Sequence, residues 1–455
     1  MSTDTARIEN VRPRTGRRRT RSESLRDALE FPAIVWLVHF LLVQIIATLA
    51  FRFGSIRSVN GNKLGEMWAE SGEKSSALQV IRPPMEGWQH WVVEPFRHWD
   101  GTWYAWIAED GYKAHDALAA FFPLYPWLMD IGHRLTGLPV ETVGWAISHL
   151  AFFGALVMAY KLVRLDFSDI VARWTLVALA VFPTAFFFSA IYTESLFLFL
   201  SVTTLWAARK NDWLLAVIVC FFATMTRSAG IMLGAPLAVL FIQQHGWNLR
   251  RWFPKVLLGV IPPIGLLIFG KFLESEGRTF FGWRDQQWQW SRFDANPIKT
   301  IDCALRGCDA SVRYGDVHQT ETVNPVSFAW LGDLWDHLSW SYFTSTEFRY
   351  WFGQSQVLDV TVTILAFILL LIGLKKLPLF YSAWIIPPMI VPLFAPSSVF
   401  PLMSFPRFVL PLVPLFVMAV LLLQPHRKVA YGVAALSGAL LVIYTMQFAL
   451  WYWVA

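Results

Sequence analysis

Apolar residues are gathered into long blocks rather than spaced at surface-helix or strand periodicity. The first runs from Phe31 to Ala50, and others lie near 143–160, 174–191, 195–208, 213–226, 229–243, 256–271, 357–374, 378–395, 407–423 and 430–449. A helix needs ~20 apolar residues to cross a bilayer, and helices satisfy their backbone polar groups internally. The pattern therefore predicts an all-α polytopic membrane protein with about eleven transmembrane helices.

The positive charges orient this array. Arg7, Arg12, Arg14, Arg17, Arg18, Arg19, Arg21 and Arg26 precede the first span, which reads as a retained signal anchor with a cytoplasmic N-terminus. A nucleic-acid arm is the competing reading of such a tail; next to a span, the positive-inside explanation is preferred. Alternate threading places Lys161, Arg164 and Arg173, then Arg209 and Lys210, then Arg250, Arg251 and Lys255, then Lys375 and Lys376, then Arg427 and Lys428 on the same side. Counting segment 119–135 as a crossing would reverse every later loop, so this segment is expected to lie along the interface or re-enter.

The predicted organisation is a basic cytoplasmic tail (1–30), a first transmembrane helix (31–51), an extracytoplasmic loop with interfacial helices (52–142), a transmembrane core (143–271), a second extracytoplasmic loop (272–356) and C-terminal transmembrane helices (357–455). Composition agrees: 55% of the 455 residues are hydrophobic and 15% charged, against roughly 25% charged in soluble domains. The C-terminus and the chemistry are expected outside. There Cys303 and Cys308, spaced C-x4-C, are candidates for a small disulfide loop. Cys220 falls in a span and reads as packing. No phosphate-binding glycine loop or dinucleotide turn is present, so no nucleotide is expected to drive the reaction.

The densest chemistry is Arg97-His98-Trp99-Asp100-Gly101-Thr102-Trp103-Tyr104, continuing through Glu109, Asp110 and Tyr112 to Phe121-Phe122-Pro123-Leu124-Tyr125-Pro126. A carboxylate among aromatics at an interface suits a general base. An amphipathic helix with anchoring aromatics and solvated charges would read similarly. Later stretches are Ile191-Tyr192-Thr193-Glu194-Ser195, Thr226-Arg227-Ser228-Ala229-Gly230 and Ser404-Phe405-Pro406-Arg407-Phe408. Arg227 and Arg407 fall at predicted outer span ends, where a cation is costly without a partner or function. Snorkelling to the interface is the structural alternative.

Taken in order, H-W-D-x-x-x-Y-x-x-I-A-E-x-G-Y, A-x-F-F-P-x-Y-P and these three stretches resemble the PIG-V family of GPI second-mannose transferases and their prokaryotic relatives. The likeness covers most of the membrane core but not the 272–356 loop. Ala229 departs from the family's usual R-S-N-G. The resemblance implies a GT-C glycosyltransferase fold and transfer of a sugar, usually mannose, from a polyprenyl-phosphate-linked donor at the outer face.

On that reading Asp100 is the catalytic base, and Arg407 and Arg227 bind the donor phosphate. His98, Trp99, Tyr104, Glu109, Tyr192 and Glu194 are expected to contact substrate. For Glu194, pairing with one of the arginines is an equal alternative; for His98, a structural hydrogen bond; for Glu109, solvation. Trp283, Trp288 and Trp290 offer stacking faces or simply lie on the membrane. Neither a cofactor nor a metal is expected. The partners implied are the lipid bilayer, the lipid-linked sugar donor and a glycolipid or other membrane acceptor, with no nucleic acid.

The implied reaction is inverting mannosyl transfer, in a bacterial plasma membrane by preference. Another sugar or a protein acceptor would suit the same fold. Transport of a lipid-linked sugar is the alternative from another class, disfavoured because no internal repeat is evident.

Overall fold

In a computed structural model, residues 21–54, 82–113, 115–247, 252–253, 255–314, 317–323, 325 and 356–454 are described. The arginines from Arg7 to Arg19 lie outside these residues. Among the described residues, five helices are long and apolar enough to cross a membrane: Ala28–Phe53, Val140–Val163, Lys255–Ser275, Gln356–Lys376 and Arg427–Ala449. Their outer faces carry Leu37, Val38, Leu41, Leu371 and Leu436, all exposed. Contiguous apolar surface of this kind requires lipid. The protein is a mostly helical, multi-pass membrane protein.

The other predicted spans form shorter or broken helices: Asp169–Ala180, Glu194–Arg209, Trp213–Thr226, Gly234–His245, Leu379–Ile390 and Val413–Leu423. The breaks follow proline and the 3₁₀ turns at Ala185–Phe188, Ser228–Leu233 and Val391–Phe394. Each break leaves backbone at the end of a buried helix, where side chains with chemistry can converge.

The Val140–Val163 helix packs on Glu194–Arg209, which packs on Trp213–Thr226, and the N-terminal helix lies between Val140–Val163 and Arg427–Ala449. Local capping sets several boundaries. Ser168 Oγ accepts from the Val171 N–H, and Asp212 Oδ1 from the Leu215 N–H. Segment 119–135 forms a 3₁₀ turn at Asp116–Ala120 and the helix Leu124–Thr136, against whose Gly132 the Val143 side chain packs. The helix ends at Gly137, in the left-handed conformation.

One antiparallel hairpin, Cys308–Tyr314 with Val317–Val323, departs from the helical pattern. A disulfide joins Cys303 to Cys308 at its base. Cys220 is free and buried.

Candidate active site

Asp100 begins the Asp100–Asp110 helix, and the residue before it, Trp99, has a φ of 56°. For a bulky residue this conformation is strained, and it survives only where surrounding contacts dictate it. Those contacts come from the 191–195 stretch. The Ile191 N–H donates to the Phe96 carbonyl at 2.9 Å. The Tyr192 hydroxyl accepts from the Asp100 N–H and donates to the His98 carbonyl, each at 3.1 Å. The two motifs therefore fold as one unit.

Arg407 arrives from the opposite end of the chain. Ser404, at φ 69°, precedes the short Phe405–Val409 helix, so a second strained position lies close to the second charged residue. Arg407 Nη1 donates to Asp100 Oδ2 at 2.8 Å. Its Nε and Nη2 meet Glu194 Oε1 at 3.0 and 2.9 Å, and the guanidinium lies over the Tyr192 ring, 4.8 Å from its centre. Arg227 Nη1 reaches the same Glu194 oxygen at 2.7 Å. Two carboxylates and two guanidiniums thus form a continuous chain, Asp100–Arg407–Glu194–Arg227. Glu194 is fully buried and its Oε2 has no partner.

Arg227 is set by the close fold-back of the 228–233 turn. A Cβ on Gly230 would lie 2.4 Å from the Ala223 and Thr224 backbone, so only glycine fits this approach. Ala229 lines the adjoining cavity, where a family asparagine would place an amide.

That cavity, about 520 Å³, is bounded by Asp100, Tyr104, Arg227 and Arg407 on the polar side and by aromatics that include Trp283, Trp290 and Trp453. It is a mixed polar and aromatic pocket in the size range of small-molecule binding sites. Trp288 does not line it.

Several predicted substrate contacts lie outside the cavity wall. His98 is fully buried outside the cavity wall; its Nδ1 meets the Phe448 carbonyl at 2.9 Å, and its ring stacks on Trp451 at 4.1 Å. Burial, opposed by the Phe448 carbonyl, lowers its pKa to about 3, so the ring is neutral. Tyr192 is buried beneath the ion-pair chain, where it joins His98 to Asp100. Trp99 packs edge-on to Trp453 at 5.1 Å. Glu109 is exposed and pairs with Arg82 at 2.7 Å. Tyr104 alone of the motif aromatics both lines the cavity and reaches Thr193, at 3.4 Å.

Sequence reasoning passed over a second cluster beneath the first loop. Arg97 is paired with Glu94 and Glu141, and Arg82 meets Glu141 at 3.0 Å. Arg97 also donates to the Pro83 carbonyl at 2.5 Å. This ion-pair network fixes the chain entering His98-Trp99-Asp100. The only sequence signal was the position of Arg97 beside the motif.

Residues 71–249 match the family model described as mannosyltransferase (PIG-V). The matched stretch contains the aromatic-acid signature, and over that stretch the chain is similar to this family. A segment of the chain is 30% identical over 197 residues to GPI mannosyltransferase 2 of Drosophila pseudoobscura pseudoobscura, covering 38% of this chain and 42% of that protein. The Drosophila melanogaster protein of the same name is 30% identical over 120 residues, 23% of this chain and 26% of that one. The chain thus aligns with less than half the length of these PIG-V-like relatives. Among solved structures, ArnT from Cupriavidus metallidurans bound to undecaprenyl phosphate aligns with 89% of this chain and 63% of its own, at 13% identity and a TM-score of 0.44. Its apo form gives a TM-score of 0.45. The 404–408 stretch lies beyond the PIG-V match, yet the fold joins Arg407 to Asp100 and Glu194 within it.

Proposed function

We propose that this protein is an inverting GT-C mannosyltransferase that moves mannose from a polyprenyl-phosphate-linked donor to a glycolipid-type acceptor at the extracytoplasmic face. The observation that carries this reading is the Asp100–Arg407–Glu194–Arg227 chain along one wall of an aromatic cavity. The acceptor hydroxyl hydrogen-bonds to Asp100 Oδ1, which takes its proton as the oxygen attacks the anomeric carbon. The anomeric carbon–oxygen bond to the phosphate breaks on the opposite side, and the electron pair leaves with the lipid phosphate.

Arg407 links the two events. Before transfer its positive charge is shared between Asp100 and Glu194. Protonation of Asp100 removes one of those negative charges just as the departing phosphate gains one, so the guanidinium's attraction shifts from the base to the leaving group. Arg227 adds a second cation held by Glu194. The buried Glu194 thus serves as counter-ion to both arginines and needs no contact with sugar.

The charge asymmetry of the short loops supports an outer site and a cytoplasmic N-terminus. The test is incubation of purified protein with polyprenyl-phosphate-mannose and a panel of membrane glycolipids. The expected product is heavier by one hexose, with the anomeric configuration inverted relative to the donor. Donor binding without a hexose gain on any acceptor contradicts the transferase assignment.

A further inference from the structure

The second outer loop brings Arg284, Arg292 and Asp294 to the cavity wall. Arg292 lines the cavity wall and is half-buried. It lies on a strap stitched to the segment after the Val391–Phe394 turn. Arg292 bridges Ser397, the Phe293 N–H donates to the Pro396 carbonyl at 3.0 Å, and the Ala295 N–H to the Phe394 carbonyl at 3.1 Å. On the other side of Arg292, the Ser398 N–H donates to the Ser291 carbonyl at 2.8 Å. The hairpin that follows the Cys303–Cys308 disulfide adds a bond from Ser398 Oγ to Glu321. Arg292 is therefore delivered by a braced pair of backbones.

Its electrostatic setting differs from that of its neighbours. Arg407 and Arg227 are each paired with a carboxylate, whereas Arg292 makes a single bond, from Nη1 to the Ala395 carbonyl at 2.7 Å, and no ion pair among the described residues. Burial and the nearby Arg407, opposed by Asp100, push its pKa down to about 10. It remains charged at neutral pH. Asp100 and Asp294 line the same cavity, but neither pairs with Arg292, and a half-buried cation without a direct counter-ion is costly unless an anion completes it.

We propose that Arg292 is the ligand contributed by the second outer loop to the phosphate of a lipid-linked sugar, acting where Arg407 and Arg227 are already neutralised by protein carboxylates. This inference rests on the proposed function and adds a role for the loop that the PIG-V likeness does not reach. Arg292 makes the cavity selective for an anionic lipid over its uncharged alcohol.

The test is equilibrium binding to the full-length protein, in detergent, of polyprenyl phosphate and of the matching polyprenol, with wild type, Arg292→Ala and Arg292→Lys. Loss of one charge-assisted phosphate contact weakens binding by about 10- to 100-fold. The expected result is a loss of that size for polyprenyl phosphate in Arg292→Ala, a smaller one in Arg292→Lys, and unchanged polyprenol binding. Wild-type affinity for the phosphate in Arg292→Ala overturns the assignment and leaves the proposed function standing. Equal losses for both lipids show that Arg292 only braces the strap, which also overturns it. Inorganic phosphate competing as well as polyprenyl phosphate overturns the lipid source of the anion. A wild-type protein that does not distinguish phosphate from alcohol rejects the lipid-phosphate donor itself, and the inference with it.

Discussion

Arg407 and Asp100 are 307 residues apart in the chain and are joined by a 2.8 Å bond from Nη1 to Oδ2. The same guanidinium holds Glu194, so one side chain ties the C-terminal third of the protein to both acidic motifs of the N-terminal half. Removing it has consequences for stability as well as chemistry.

In Arg407→Gln the buried Glu194 keeps only Arg227. Loss of one partner from a buried ion pair typically costs ~3–5 kcal/mol. We expect a clear drop in the thermal transition in detergent and loss of transfer. The double variant Arg407→Gln/Glu194→Gln removes the charge stranded on Glu194 but leaves Asp100 and Arg227 without these partners, so it should recover only part of the stability and none of the activity. A double variant as unstable as the sum of the singles would show that the two residues are not coupled.

His98 gives the fold an acid limit. Its folded-state pKa, about 3, lies below the ordinary value of 6.5 because burial disfavours the charged ring. The unfolded chain therefore binds the extra proton first, so the stability held above pH 6.5 is lost as pH falls towards 3. His98→Gln should flatten that part of a melting-temperature profile between pH 6.5 and 4. An unchanged slope would place the acid sensitivity elsewhere.

Gly230 tests the local geometry behind Arg227. A methyl group there would lie 2.4 Å from backbone atoms of Ala223 and Thr224. Since backbone cannot give way as a flexible side chain would, Gly230→Ala should destabilise by ~1–3 kcal/mol and lower transfer by displacing Arg227. Wild-type melting and activity together would mean that the fold-back is looser than this spacing requires.

Much of the helical architecture was legible because bilayer spans announce themselves through long apolar runs. The broken ends were harder to read. Whether 174–191 is one helix or a helix with a 3₁₀ turn depends on packing around Pro183, which hydropathy averages away. Asp100 and Arg407 were legible as individual motif residues, but their pairing was not, because no local pattern connects positions 307 apart. Glu194 as a counter-ion was one of two open readings. His98 and Glu109 were assigned to substrate because the motif surrounds them; the structure turns one towards Phe448 and the other towards Arg82. Arg292 carried no signal, since its role arises from a strap formed with residues a hundred positions later.

The most direct measurement is the single-turnover rate of mannose transfer by Asp100→Asn, beside wild type, with donor binding and melting temperature measured on the same preparations. The isosteric amide keeps the oxygen that accepts from Arg407 but cannot take the acceptor proton in the same way. The account predicts a fall in rate of about 10²–10⁴-fold with donor binding retained. Transfer near the wild-type rate by a folded Asp100→Asn protein would contradict it.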